Sequence, residues 1–164
     1  MTEQTWIDPK LDRSEWGAGD WDSEPDKVQW EDAATGLVCL ARRSPGGGNW
    51  CGYVGVPSGH PWHGKSYNDD ALIEVEVHGG LTYSNACGDG PIETSICHLP
   101  AHGSEDHLWW FGFDCHHAWD FAPAFMVRMR KYPGYGDDCS YKALPYVRHE
   151  CTELARQIGA ALSI

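Results

Sequence analysis

Alternation of apolar and polar positions is strictest from Ala71 to His78. Leu72 breaks the phase, after which Ile73, Val75 and Val77 fall on one side and Glu74, Glu76 and His78 on the other. A period of two predicts a half-buried strand. Gly79 and Gly80 then turn the chain into a short partner strand, LTYS. Upstream, GLVCLAR at 36–42 and WCGYVGV at 50–56 have the apolar density of strands, and the SPGGGN cluster between them makes the pair a β-hairpin. Downstream, LWWFGFDC at 108–115 predicts a strand with Trp109, Phe111 and Phe113 on one face and Trp110, Gly112 and Asp114 on the other. Its glycine implies close backbone approach.

The period changes near the end of the chain. Val147, Cys151, Leu154, Ile158 and Leu162 recur at spacings of four and three, which predicts an amphipathic helix over about 144–162 with Pro145 in its first turn. Strands followed by one strong helix imply an α+β fold: a single domain over 1–164, mainly antiparallel sheet, with the C-terminal helix packed on one face. The turn-rich stretch 57–70 reads as a surface loop, and residues 85–106 form a second irregular region, long for a loop without structure of its own.

Composition adds one division to this picture. The formal net charge is −12, and residues 1–32 carry ten acids, from Glu3 to Asp32, against Lys10, Arg13 and Lys27. The same segment holds Trp6, Trp16, Trp21 and Trp30, whereas disordered tails are poor in aromatics. It reads as an acidic, Trp-rich N-terminal arm that packs by its tryptophans against an α+β core at 33–164. Such acidity repels phosphate backbones and disfavours nucleic acid as a direct partner, while leaving room for an acidic inhibitor or DNA mimic. No run approaches the roughly 20 apolar residues of a membrane span, and MTEQTWIDPK lacks the features of a signal peptide, so a cytoplasmic location is expected. Seven cysteines, an odd number without CxxC pairs, fit free thiols or metal ligands better than a disulfide framework.

Chemistry gathers in four places. Glu74, Glu76 and His78 stand in a row on the predicted strand ahead of the HGG turn, where two glycines admit a backbone or ligand. Carboxylates and an imidazole in a row suit a divalent cation or an acid and base. FDCHHAWD gathers Asp114, Cys115, His116, His117 and Asp120 at a strand end, with ligand types suited to zinc, manganese or iron. There Asp120 can instead orient a histidine through its second nitrogen. Cys87, Cys97, His98 and His102, with Cys115, compose a possible structural zinc clip for the long irregular region, in a spacing that matches no standard zinc finger. Lastly, GHPWHGK offers His60, His63 and Lys65 to a phosphate or a base, without the glutamate of a metalloprotease helix or the pattern of a phosphate-cradling loop. Each group has a plainer alternative: a solvated sheet face, a hydrogen-bonded strand-end histidine, buried thiols acting as small hydrophobes, and a solvent loop.

GYVGVPSGHPWHGKSYNDD, EVHGGLTYS, ICHLP, WWFGFDCHHAWD and YVRHECTELARQI, in that order, resemble a family of small phage and bacterial proteins with the pattern GHPxxGxxY, VHGGLTY, GICH and WWFGFDCAHAGD. The resemblance covers about residues 50–158 and brings no established activity. It implies a pattern at Gly59, His60, Gly64, Tyr67, His78, Gly79, Gly80, Cys97, His98, Asp114, Cys115, His117 and Asp120. His116 and Trp119 stand where that pattern has Ala and Gly, which demotes His116.

Three readings follow. The first is a phage or mobile-element accessory protein that binds a small polar ligand such as a nucleotide, or a host protein, through His60, Tyr67, His78, Asp114, His117 and Asp120. The second is a metal-dependent hydrolase in which Glu76, His78, Asp114 and His117 hold zinc or manganese and Asp120 or Glu74 serves as base or orienter. The third is an acidic inhibitor acting through residues 1–32.

Overall fold

The structure is a computed structural model that describes residues 2–100 and 105–163. Six antiparallel strands form one sheet in the order β1-β2-β3-β4-β6-β5: β1 Gln4–Trp6, β2 Lys27–Glu31, β3 Val38–Arg43, β4 Trp50–Val56, β5 Tyr83–Ala86 and β6 Trp109–Asp114. Helix α1 spans Pro123–Met129 and helix α2 spans Leu144–Ala160. The fold is single-domain α+β, with the C-terminal helix on one face of the sheet.

The hairpin forms as its sequence predicts, with Val38 opposite Gly55 and Arg43 opposite Trp50. Because both faces of β4 are covered, all seven of its residues are buried, which is why WCGYVGV reads as a run rather than an alternation. Val147, Cys151, Leu154 and Ile158 of α2 are fully buried against Trp50, Val54, Phe111 and Phe113. Each such aliphatic side chain contributes roughly 1.5–3 kcal/mol. Gly52 lets Phe113 and Cys151 lie directly on the β4 backbone, and Gly112 does the same for the Tyr53 ring. The close approach expected at Gly112 is thus made by a neighbouring aromatic.

The opposite face carries Leu40, Tyr53 and Trp110, with Ile96 from the 85–108 loop packed onto them. That loop is held by strand side chains. Lys27, fully buried, donates to the carbonyls of Ile92 (2.6 Å) and Cys97 (3.0 Å), and Gln29 exchanges hydrogen bonds with the Leu99 backbone. Burial pushes the Lys27 ammonium down to about 8.

Three expectations are corrected. Residues 71–77 are not a strand. Asp69 Oδ1 accepts the Ala71 N–H at 2.9 Å and nucleates a 3-10 turn at Asp70–Leu72, leaving Ile73 79% exposed. The backbone of Glu76 finds its partners in one α2 side chain, donating to Gln157 Oε1 and accepting from Gln157 Nε2, both at 2.8 Å. LTYS does supply a strand, β5, but it pairs with β6. Cys87 and Cys97 form a disulfide rather than remaining free thiols, while Cys39, Cys51, Cys115 and Cys151 are free and buried and Cys139 is free and half-buried.

Residues 1–32 contribute to the sheet itself, since β2 lies between β1 and β3. Trp16 and Trp21 are buried, and Trp21 stacks on Phe121 at 5.9 Å. Glu24, Asp26 and Asp32 of this segment also turn inward. Arg43, sandwiched against the Trp16 and Trp50 rings, donates to Asp26 Oδ1 (3.1 Å), Glu24 Oε1 (3.2 Å) and the Tyr141 hydroxyl (2.8 Å). Arg13 joins Asp26 from the other side. Glu24 Oε2 accepts the Leu144 N–H at 2.6 Å, capping α2 from a distant part of the chain.

Candidate functional site

Two segments converge at the end of β6. Beyond Asp114 the chain turns so that Asp120 Oδ2 accepts the His117 N–H at 3.0 Å, and Asp120 is 2% exposed. The HGG turn arrives from the α2 side. There His78 Nε2 lies 2.8 Å from Asp120 Oδ2, and His117 Nδ1 lies 3.3 Å from the same oxygen. One ligand atom each from His78, His117 and Asp120 fall within 4.8 Å of one another. Asp114 Oδ1 stands 3.7 Å from His117 Nδ1 and accepts the His116 N–H at 3.0 Å.

Gly79 makes this packing possible. Its φ of +68° lies in the left-handed region, and a Cβ there would lie 2.0 Å from the nearest atom of the His117 ring. On its other side the His117 ring stacks on Trp119 at 5.5 Å and 17°, and Trp119 is 54% exposed.

Around this core runs a shell of polar partners. A carboxylate only accepts, so His78 Nε2–H donates to Asp120, and His78 Nδ1 pairs with the Tyr146 hydroxyl at 2.7 Å. Desolvation and then the Glu150 carboxylate push Tyr146 up to about 12, so it stays a neutral hydroxyl. Glu150 Oε2 accepts the His78 N–H at 3.3 Å. Lys142 Nζ stands 3.1 Å from Asp120 Oδ1, off the line of a hydrogen bond. Burial raises the Asp120 carboxyl, but the hydrogen bonds from His78 and the His117 N–H and the ammonium of Lys142 outweigh it, leaving the group below the usual carboxylate range. Burial, then the Asp120 charge, pushes the neighbouring Cys115 thiol up, which keeps it inert.

His117 and Asp120 face a cleft of about 390 Å³ walled by Phe125, Met126, Tyr135, Asp137, Asp138 and Cys139. On the far side, His78 borders a polar hollow of about 420 Å³ between Glu76 and the His149, Glu153 and Arg156 side of α2.

The candidates divide accordingly. His78, His117 and Asp120 meet, with Asp114 at the edge. Glu76 stays outside the cluster: its side chain is exposed beside Gln157, because the chain bends at Val77–Gly80 instead of running on as a strand. Glu74 is exposed too and borders a separate groove with Trp62 and Arg156. His60 is buried elsewhere, Nε2 donating to the Ile158 carbonyl (3.0 Å) and Nδ1 accepting the Trp62 N–H (3.0 Å), a structural tie between loop and helix. Tyr67 lies exposed beside Ser84 on β5. His116 is exposed against the Phe125 ring. The zinc-clip set also separates: Cys115 is buried on the α2 face, whereas Cys87, Cys97 and His98 lie with the loop over the other face. His102 lies outside the described residues. Lys142, Tyr146 and Glu150 were not among the sequence candidates. Their signal was the spacing of Tyr146 and Glu150, one helical turn apart on the flank of the apolar stripe of α2.

Fold and site together define a single-domain α+β protein carrying two histidines and a carboxylate at the mouth of a cleft. Among the described residues no helix is long and apolar enough to cross a membrane. Comparison of the chain with protein-family models, with curated proteins and with solved structures returned no match.

Proposed function

We propose that this chain is a metal-dependent hydrolase of a small polar substrate, with zinc or manganese held by His78, His117 and Asp120. The observation that carries this reading is the convergence of two imidazoles, from segments 39 residues apart in sequence, on one buried carboxylate oxygen at a cleft. Three protein ligands with a fourth position open to a cleft is the pattern of catalytic rather than structural metal sites. An ion on His78 Nε2 would displace the proton shared with Asp120, leaving Nδ1–H to donate to the Tyr146 hydroxyl, while Lys142 beside the other oxygen of Asp120 would hold the carboxylate in place. A bound ion would supply a water of lowered pKa facing the cleft. Asp114, 3.7 Å from His117, would accept a proton from that water or complete the ligand set.

The test is elemental analysis of protein purified without chelator, followed by titration with zinc and manganese. One equivalent bound by the native chain, lost in His78→Ala and His117→Ala and kept in Glu76→Ala, supports the reading. No stoichiometric metal under either condition sinks it.

A second reading is favoured by Lys142, whose charge already balances Asp120: a metal-free site that binds a small polar ligand such as a nucleotide, in the accessory role that the resemblance to phage proteins suggests. Ligand-dependent thermal shifts with nucleotides, unaffected by chelator, would support it over the hydrolase. An acidic inhibitor acting through residues 1–32 has less support, because Glu24 and Asp26 are engaged with Arg43 and Arg13 inside the protein.

A further inference from the structure

A second group of metal-ligating atoms lies on the opposite face of the sheet. Cys87, Cys97 and Asp106 each offer a ligand atom within 4.8 Å of the other two. His98 flanks this group, its Nδ1 3.0 Å from Asp106 Oδ2 and outside hydrogen-bonding geometry. Burial raises the Asp106 carboxyl, but the nearby His98 ring and the bonds from the Leu108 and His98 N–H groups outweigh it and favour the carboxylate anion. The surrounding loop is anchored independently of these groups by Lys27, Gln29 and Arg42, which bond to the carbonyls of Ile92, Cys97, Leu99 and Thr94. The two cysteines and Asp106, with His98 alongside, therefore stay near one another when the sulfurs are unlinked.

We propose that the reduced protein binds one zinc ion through Cys87, Cys97, Asp106 and His98, so that disulfide and metal are alternative staples of the same loop. A dithiol reductant transfers two electrons to the Cys87–Cys97 bond, leaving two thiols and the cyclic disulfide of the reductant. Zinc then displaces both thiol protons. The sulfurs need to part from about 2.05 Å in the disulfide to about 3.8 Å across a tetrahedral ion with 2.3 Å bonds. Rotation of the two side chains spans that difference from Cα atoms 4.8 Å apart. The donor set of two thiolates, an imidazole and a carboxylate suits zinc over magnesium or calcium. It owes nothing to the His78 site on the other face.

Cobalt(II) is the probe, because a thiolate-to-cobalt charge-transfer band reports sulfur ligation, and the His78, His117 and Asp120 cluster contains no sulfur. The full chain is reduced with a dithiol, desalted anaerobically and titrated, alongside oxidised protein. The expected result is a charge-transfer band that saturates at one equivalent, is bleached by zinc, is missing in the oxidised protein, and persists in His78→Ala/His117→Ala. Asp106→Asn, which keeps both thiols, should weaken cobalt binding about 10–100-fold. Absence of the band in reduced protein overturns the proposal, as does a band that survives Cys87→Ser/Cys97→Ser. Cobalt bound without any charge-transfer band would leave the proposed hydrolase centre standing while removing this one.

Discussion

Gly79→Ala and Gly80→Ala form a matched pair that isolates the role of His117. Both glycines have left-handed backbone, φ +68° and +82°, and a non-glycine residue there costs about 1–2 kcal/mol. The surroundings differ. At Gly80 an added Cβ meets nothing within 4 Å, whereas at Gly79 it lies 2.0 Å from the nearest atom of the His117 imidazole. That ring, held between Gly79 and Trp119, has to swing away, breaking its 3.3 Å approach to Asp120 and its 5.5 Å stack on Trp119. Losing those contacts adds about 1 kcal/mol. Urea denaturation followed by tryptophan fluorescence should therefore show a drop of about 1–2 kcal/mol for Gly80→Ala and about 2–3 kcal/mol for Gly79→Ala. Zinc affinity, measured by competition with a fluorescent chelator, should be unchanged in Gly80→Ala and reduced at least about 10–100-fold in Gly79→Ala. Equal zinc affinities in the two variants would refute the placement of His117 as a ligand held against this turn.

Arg43→Ala should cost about 3–5 kcal/mol in chemical denaturation, because Glu24 would lose its buried cation while Asp26 keeps Arg13; an effect under about 1 kcal/mol would mean that water screens Glu24. His60→Ala should lower stability by about 1–3 kcal/mol while leaving metal content intact, as expected for a group that ties a loop to α2. A pH series should expose Asp120: its folded pKa is depressed, so its stabilisation is complete above the ordinary carboxylate value near 3.9 and is lost as pH falls toward the folded value. Asp120→Asn should accordingly flatten the loss of thermal stability between about pH 5 and 2, and an unaltered acid limb would contradict the assignment.

Where a pattern is enforced by local geometry, the chain could be read directly. The β3–β4 hairpin, the two faces of β6 and the stripe Val147, Cys151, Leu154 and Ile158 each follow from a period and a turn signal. The failures share a cause, a distant partner that outweighs the local pattern. Residues 71–77 alternate like a strand, yet Gln157 and Glu150 of α2 take the backbone groups that a neighbouring strand would have taken. Strand β2 was hidden inside the acidic segment because Lys27 and Gln29 occupy buried positions, and their partners, the carbonyls of the 92–99 loop, lie about 70 residues away. His78, His117 and Asp120 stood out as residue types. Their meeting depends on a bend at Gly79, which also explains why Glu76, two residues before His78, falls away from them.

Helix α2 acts as the keystone in time as well as in space. Its first turn waits for Glu24, its flank supplies Tyr146 and Glu150 to His78, and Gln157 holds the chain entering the HGG turn. Each of these partners is between about 70 and 120 residues distant in sequence. A nascent chain that has not yet produced α2 therefore exposes one whole face of the sheet and lacks the anchors of the histidine cluster. High sequence separation of this kind slows folding, because loop closure precedes the contacts that reward it. The partners that hold His78 are thus in place only once α2 has packed on the sheet.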